Sequence, residues 1–133
     1  MTAGTGLAAS RASSTLSLAL GALAELEFRL GDWAGAYEAA GAALRSARRT
    51  GLDHDIRCGL ARLAVIEAGM GREQDCRRNA GEALRLADAA GDWPMQALAG
   101  EALGLLELGL GRLDAAVERL GTVERICRAH PEA

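Results

Sequence analysis

The stretch from Leu30 to Leu44 reads LGDWAGAYEAAGAAL, and its pattern returns twice further along the chain. Residues 70–84 read MGREQDCRRNAGEAL, and residues 110–124 read LGRLDAAVERLGTVE. Two columns of glycine keep a spacing of 40 residues through the three stretches: Gly31, Gly71, Gly111 and Gly41, Gly81, Gly121. Periods of 20 to 50 residues are typical of solenoids and other repeat arrays. We therefore interpret the chain as three copies of one 40-residue unit.

Apolar columns continue on both sides of these stretches. The first half of each copy holds Leu23, Leu63, Leu103, then Leu26, Ile66, Leu106, and the second half holds Ala40, Ala80, Leu120 and Ala43, Ala83, Val123. A third glycine column, Gly51 and Gly91, closes the first two copies, and His130-Pro131 takes that place in the third. This periodicity predicts two helices per copy and an all-α fold, an α-solenoid of three antiparallel helix pairs.

The turns set the predicted helix boundaries. In Gly31-Asp32 and Gly91-Asp92 the glycine can take the left-handed conformation that ends one helix, and the aspartate can cap the next. Pro94 suits the first turn of its helix. Asp53, and Ser13 or Ser14, are the caps expected for the first helices of copies two and one. We predict helices at 13–30, 32–50, 53–70, 72–90, 93–110 and 112–129.

The predicted domain is one solenoid with repeats at 13–52, 53–92 and 93–131, preceded by a disordered tail at 1–12. Leucines surround most of the helix after Pro94, so we expect other helices on all its sides. In the last helix we expect an inward stripe: Leu113, Ala116, Val117, Leu120, Val123 and Cys127. Glycine inside a helix is unfavourable relative to alanine. The Gly41, Gly81 and Gly121 column therefore predicts close helix approach at these points.

Composition excludes several classes of protein. The 133 residues are 50% hydrophobic and 25% charged, which fits one folded domain. A net charge of −3 argues against a phosphate-binding surface, so no direct contact with nucleic acid is expected. Glu or Arg interrupts each apolar run before 18 residues, so no membrane span is expected. Cys58, Cys76 and Cys127 form no CxxC pair, which favours a cytoplasmic protein without a disulfide framework or zinc site.

The columns resemble the tetratricopeptide repeat family over residues 13 to 130. Its Leu-Gly pair is similar to Leu103-Gly104, and its Ala-Leu pair is similar to Ala43-Leu44 and Ala83-Leu84. Its small residue early in the second helix matches Ala36, Cys76 and Ala116. The unit here has 40 residues rather than 34. Glutamates replace the aromatic residue expected near the end of the first helix. The longer unit resembles the helical-repeat region of large bacterial LuxR-type regulators of the MalT kind.

The resemblance implies a noncatalytic binding module, the sensor or scaffold segment of a bacterial signalling or transcriptional regulator. Its partner would be a protein or peptide segment, or a small effector. By analogy with the family, the concave face would carry the candidate binding residues Glu25, Phe28, Arg29, Val65, Glu101, Leu105 and Leu108. Two interpretations of this largely apolar groove stay open: it receives an amphipathic peptide or helix, or it awaits a further repeat.

The alternative function is a structural spacer or a self-association element. Leu113, Val117 and Leu120 lie in the last predicted helix with no further helix to cover them, so end repeats could form a homodimer. The glutamate column Glu27, Glu67 and Glu107 is either an acidic ladder for a cationic ligand or, as we favour, a set of solvated or Arg-paired side chains. Trp33 and Trp93 are expected to clamp helix junctions, the alternative being stacking on a ligand.

No constellation of residues indicates an enzyme. His54 and His130 have no serine or cysteine nucleophile in register and are not spaced with any cysteine or acid as a metal set. No helix carries the Glu-x-x-His pair of a di-iron bundle, and no GxxxxGK[ST] phosphate loop is present. We expect neither cofactor nor metal.

Overall fold

The computed structural model describes residues 16, 19–24 and 26–131, and every regular element among these residues is an α-helix. The helical residues 16, 19–24 and 26–29 belong to α1. The other five helices are α2 Trp33–Thr50, α3 Asp53–Met70, α4 Glu73–Ala90, α5 Trp93–Gly109 and α6 Leu113–Arg128. The prediction of an all-α fold is confirmed, and the limits predicted for α2 to α6 agree to within one residue. The predicted tail at 1–12 and the caps Ser13 and Ser14 lie outside the described residues.

Glycines end the helices as predicted. Gly31, Gly51, Gly71, Gly91 and Gly111 have φ between +65° and +86°, the left-handed region that only glycine adopts without strain. At four of these turns the next residue donates its N–H to a carbonyl five residues earlier, as Arg112 does to Glu107 at 2.9 Å. This hydrogen bond closes the helix end and lets the next helix begin two residues later.

Two of the predicted aspartate caps are confirmed. The Asp32 carboxylate accepts a hydrogen bond from the Gly35 amide at 3.0 Å, and the Asp92 carboxylate accepts one from the Met95 amide at 3.4 Å. The prediction for Asp53 is wrong. This residue is the first within α3, where its charge complements the helix dipole instead of capping an amide.

The described chain divides into two compact units, residues 1–59 and 60–133. In the first unit the buried side chains are mostly alanines: Ala24, Ala36, Ala39, Ala40, Ala43 and Ala47. Gly59 lies against α2, where an added Cβ would come within 3.3 Å of the Leu44 backbone. Phe28 and Trp33 meet edge to face across the α1–α2 turn, with ring centroids 4.6 Å apart. Trp33 therefore clamps this junction as predicted.

The second unit contains most of α3 and all of α4, α5 and α6, and α5 packs against both α4 and α6. Its largest buried apolar side chains belong to Leu60, Leu63, Ile66, Leu103 and Leu106. A fully buried leucine stabilises a fold by roughly 1.5–3 kcal/mol. The two leucine columns of the sequence therefore form the core of this unit.

Two expectations about helix surfaces are wrong. Helix α5 is not covered on all sides, because Leu105, Leu108 and Leu110 are exposed. In α6 the inward stripe is Ala116, Leu120 and Val123, while Leu113 is 61% and Val117 72% exposed, and Cys127 is exposed too. Helix α6 has α5 as its packing partner within the unit, and one neighbour covers one face. Leu120, which we expected to be uncovered, lies on the face of α6 that packs against α5 and is half-buried.

The predicted role of the second glycine column is also wrong. Among the described residues, a Cβ added at Gly81 would meet nothing within 4 Å, and one at Gly41 or Gly121 would meet only an arginine of the same helix. Close approach occurs in α5 instead. There a Cβ on Gly100 would lie 2.9 Å from Val123, and one on Gly104 would lie 2.5 Å from Leu120. Nothing in the part of the chain that the structure describes explains the glycines at 41, 81 and 121.

Candidate binding surface

An exposed stripe on α5 contains three of the candidate binding residues. Glu101, Leu105 and Leu108 are spaced by four and three residues, which places them on one face of the helix, and all three are exposed. The opposite side of α5 is occupied by the contacts with α4 and α6. The stripe therefore presents two leucines and one carboxylate to the surroundings.

The other candidate residues have different settings. Phe28 is half-buried and committed to Trp33, and Arg29 is exposed near the end of α1. Val65 is half-buried on α3. Glu25 lies outside the described residues. The structure thus joins Glu101, Leu105 and Leu108 into one surface, which we call the α5 stripe.

A network of four charged side chains lies beside the α4–α5 contact, and it was not predicted from the sequence. Arg77 contacts both Glu73, at 3.1 Å, and Glu107. Arg112 contacts the same two carboxylates, Glu73 at 3.1 Å and Glu107 at 3.5 Å. The hydrogen bonds from Arg77 and Arg112 lower the pKa of Glu73, and the bond to Glu107 raises the pKa of Arg77. The positive and negative charges balance, so the network joins helices and does not form a charged binding patch.

The glutamate column therefore has three different environments. Glu107 is buried and paired with arginines, as favoured for the whole column. Glu67 is buried, and its Oε1 accepts a hydrogen bond from the Asn79 side chain at 2.8 Å. Burial is the main cause that raises the pKa of Glu67. The Oε2 of Glu27 is buried without a hydrogen-bond partner. The column does not form a ladder of three equivalent exposed carboxylates.

The thiol of Cys76 lies inside the α4–α5 contact. Its sulfur donates to the carbonyl oxygen of Ala102 at 3.9 Å, and burial raises the pKa of the thiol to about 11. A thiol with so high a pKa carries very little thiolate near neutral pH. Cys76 therefore has a packing role and is not a nucleophile.

A cleft of about 240 Å³ opens between α4 and α6 across α5. Its lining residues are Leu84, Asp88, Gln96, Gly100, Arg119, Thr122, Val123 and Ile126. Drug-sized ligands usually occupy 300 to 1,000 Å³, so this cleft suits a single side chain of a partner better than a whole small molecule. Sequence reasoning missed it. The sequence feature that could have indicated the cleft is Gly100, a glycine in the middle of a leucine-rich and alanine-rich helix.

Trp93 and His130 form a stacked pair at the start of α5 and the end of α6. Their ring centroids are 4.5 Å apart and their planes differ by 4°. We expected Trp93 to clamp the junction between α4 and α5. Its stacking partner is instead His130, which follows the end of α6. Pairing with His130 was not expected from the sequence, because the two residues are 37 positions apart.

In the described ranges, no three His, Cys, Asp or Glu side chains are grouped so that they could hold a metal ion. None of the described helices is both long and apolar enough to cross a membrane. The comparisons with known proteins add no family: no family model, no curated protein and no solved structure matches the chain.

Proposed function

We propose that this chain is a noncatalytic binding module, a tetratricopeptide-like solenoid of three antiparallel helix pairs that holds a peptide or protein segment against its α5 stripe. The observation that carries the proposal is the exposure of Leu105 and Leu108 on a helix whose other faces are packed. Exposed leucines beside a charge are typical of surfaces that recognise amphipathic segments.

Several features support the solenoid arrangement. Helices α2 to α6 are 16 to 18 residues long, and most are joined by a left-handed glycine and one further residue. So short a connection between helices of this length favours antiparallel neighbours. The 40-residue repetition of these turns then favours stacking of successive pairs, each covered by its neighbours.

The α5 stripe defines the chemistry of its partner. Leu105 and Leu108 are one helical turn apart and would accept two apolar side chains, and Glu101 lies one turn before them. A basic side chain of the partner would pair with Glu101 at the rim, which contributes more to specificity than to affinity. The expected partner is an amphipathic segment with two apolar residues and an Arg or Lys beside them.

The wider role that we propose is that of a cytoplasmic sensor or scaffold segment in a bacterial signalling or transcriptional regulator. It rests on the resemblance of the 40-residue unit to the repeats of LuxR-type regulators. Under this proposal the segment binds a protein, a peptide or a small effector, and it does not itself contact nucleic acid.

A peptide-display selection tests the module directly. Peptides selected on the unaltered protein are expected to lose at least tenfold in affinity for a Leu105→Ser, Leu108→Ser double variant. Val117→Ser, a change at a more exposed apolar residue on α6, is the control and should leave affinity unchanged. Selected peptides that ignore Leu105 and Leu108 but lose binding to the Val117 variant would overturn the assignment to the α5 stripe.

The second candidate function is self-association through α6. It is favoured by Leu113 and Val117, which are 61% and 72% exposed and lie four residues apart on one face. Two such faces could pack on each other around a twofold axis. Sedimentation over a dilution series measures this directly, with Val117→Glu expected to abolish any dimer. A monomer at every concentration would eliminate this function and leave the α5 stripe unaffected.

A further inference from the structure

The cleft between α4 and α6 opens where a glycine replaces a leucine of the repeat. Gly100 is the counterpart of Leu60, which lies 40 residues earlier and is fully buried. Val123 is the counterpart of Ala83, and a Cβ on Gly100 would lie only 2.9 Å from it. The third copy thus has glycine and valine where the second has leucine and alanine. Gly100 is half-buried and lines the cleft of about 240 Å³ that the missing leucine side chain leaves.

The inner walls of the cleft are apolar. Leu84 of α4 lines one side, Val123 and Ile126 of α6 line the other, and all three side chains are half-buried. An aliphatic side chain that entered the cleft would remove apolar surface from water on both sides of itself. Such burial is the main driving force of most protein associations, so the cleft favours an aliphatic side chain over a polar one.

The rim of the cleft carries one charged group that is already bonded and one that is not. The Asp88 carboxylate accepts a hydrogen bond from the Gln96 side chain at 3.0 Å. Arg119 is exposed, and none of the described residues forms an ion pair or a hydrogen bond with it. A second arginine, Arg125, donates to the Thr122 hydroxyl at 3.0 Å, and Thr122 also lines the cleft. The α6 side of the rim is therefore positively charged in a protein whose net charge is −3.

The repeat explains why Arg119 has no partner. Its counterpart in the second copy is Asn79, which is buried and donates a hydrogen bond to Glu67. The counterpart of Glu67 is Glu107, and two other arginines already bind that carboxylate. The contact made at this position in the second copy is thus absent in the third, and the guanidinium of Arg119 stays open beside the cleft.

From the apolar cleft and the unpaired charge at its rim together, we propose that the cleft receives one aliphatic side chain of a partner protein, while an Asp or Glu next to that side chain binds Arg119. Leucine is the expected side chain, since the cleft stands where the preceding copy holds Leu60. The cleft lies on the side of α5 that faces α4 and α6, whereas the α5 stripe lies on the opposite side. This site is therefore additional to the one proposed above.

Charge complementarity argues against the N-terminal residues of the chain as the occupant. Residues 1–15 contain one leucine, Leu7, and one charged residue, Arg11. Leu7 in the cleft would bring no carboxylate to Arg119, and the charge of Arg11 has the same sign. A second copy of the chain offers exposed leucines beside acids, and the test below distinguishes that occupant from a different partner.

The probe for the test is a capped peptide, acetyl-Ser-Gly-Leu-Glu-Gly-Ser-amide, which is added to the whole isotope-labelled chain. The amide signal of Gly100 in nuclear magnetic resonance spectra reports occupation of the cleft, and the peptide is expected to shift it saturably. Alanine in place of the peptide's leucine should weaken binding about tenfold or more. Glutamine in place of its glutamate should weaken binding about two- to fivefold, as expected for an exposed ion pair.

Variants of the protein identify the two contacts separately. Arg119→Glu should reverse the charge preference, so that a peptide with arginine in place of glutamate binds more tightly than the original. Arg128→Glu, at an exposed arginine in the last turn of the same helix, is the control and should leave the preference unchanged. Gly100→Leu combined with Val123→Ala restores the residue pair of the second copy and should abolish binding by filling the cleft. Circular dichroism checks that this variant stays helical, and the Arg119 variant decides the matter if it does not.

Several outcomes would overturn the proposal. The first is the absence of a saturable shift at Gly100, and the second is equal binding of the glutamate and glutamine peptides. Loss of binding in the Leu105→Ser, Leu108→Ser variant would also overturn it, because the peptide would then lie on the α5 stripe. Unchanged binding in that variant supports a separate site. A Gly100 signal that moves on dilution of the protein without peptide would make a second copy the occupant and exclude the partner proposed.

Discussion

Helices α4 and α6 are the second helices of successive copies, yet they are covered to different extents. Helix α4 buries five residues: Cys76, Asn79, Ala80, Ala83 and Ala87. Helix α6 buries Ala116 alone and leaves Leu113 and Val117 exposed. The two helices occupy the same position in their 40-residue repeats. The difference shows that the burial of a repeat residue depends on its neighbours in the stack as much as on its type.

The two helices also use different chemistry against α5. Helix α4 brings small residues and an arginine to the side of α5 that holds Ala102 and Glu107. Helix α6 brings Leu120 and Val123 to the side that holds Gly100 and Gly104. At the α4 contact a small residue, Cys76, meets Ala102 and an arginine meets a glutamate, whereas at the α6 contact large side chains meet glycines. The variants below test this complementarity, and they are ordered from the largest expected effect to the smallest.

Truncation of a buried leucine in α5, the helix that packs against both α4 and α6, should have the largest effect on stability. Leu106 is 1% exposed, so Leu106→Ala removes buried contacts and leaves a cavity, which should lower the free energy of unfolding by about 2–5 kcal/mol. Leu113→Ala on the open face of α6 should change it by less than about 0.5 kcal/mol. Urea titration followed by circular dichroism measures both. Equal losses would mean that the open face of α6 is covered in solution.

An added methyl group distinguishes a glycine at the α5–α6 contact from a glycine of the second column. Gly104→Ala should destabilise the protein by about 1–3 kcal/mol, because the new Cβ overlaps Leu120. Gly81→Ala should stabilise it by roughly 0.5–1 kcal/mol, because its surroundings are open and alanine favours the helix. Thermal unfolding of the two variants should show midpoint shifts of opposite sign. A stabilising Gly104→Ala would disprove the close contact of α5 with α6.

The charge network should contribute less than the packing. Arg77→Ala removes the contacts to both Glu73 and Glu107 and should lower stability by about 1 kcal/mol. Arg112→Ala should have an effect within about 0.5 kcal/mol, since this arginine is more exposed. Both effects should shrink in 1 M salt, where surface charges are screened. A larger loss for Arg112 would reverse the proposed order within the network.

The smallest effect should appear as a dependence on pH. Burial raises the pKa of Glu67 above its ordinary value of 4.5, so the folded state binds the proton more tightly than the unfolded state. The stability from this proton is present below pH 4.5 and is lost as the pH rises through the folded pKa. Glu67→Gln keeps an acceptor for Asn79 and does not titrate. Its stability relative to the unaltered protein should therefore increase with pH above 4.5 in urea titrations.

A pH-independent difference between the Glu67 variant and the unaltered protein would show that the carboxyl group is not buried in solution. The matched control is Glu101→Gln, an exposed change on α5. This variant shows whether the pH dependence comes from loss of the buried carboxyl group or from loss of any carboxyl group.

Much of the local structure could be predicted from the sequence. Left-handed glycines and the caps Asp32 and Asp92 act within a few residues of the chain, so their positions define the helix ends directly. Of the candidate binding residues, Glu101, Leu105 and Leu108 could be grouped by helical spacing. The sequence could not show whether they would be exposed, since buried and exposed leucines have the same spacing in α5.

The partners of the glutamate column could not be predicted. Glu67 and Glu107 occupy the same repeat position, but one meets Asn79 and the other meets Arg77. Those contacts join residues 12 and 30 positions apart. No local rule relates them, because side-chain pairing between helices depends on how the helices are packed.

The sequence alone determined that the chain forms helices, where most of them begin and end, and that the pattern repeats every 40 residues, because turns, caps and helical periodicity depend on near neighbours. Only the tertiary structure decided which leucines are buried, which glycines are contact points and which carboxylates are paired. Those properties depend on the helix that lies opposite, and a residue cannot specify its cover without the rest of the fold.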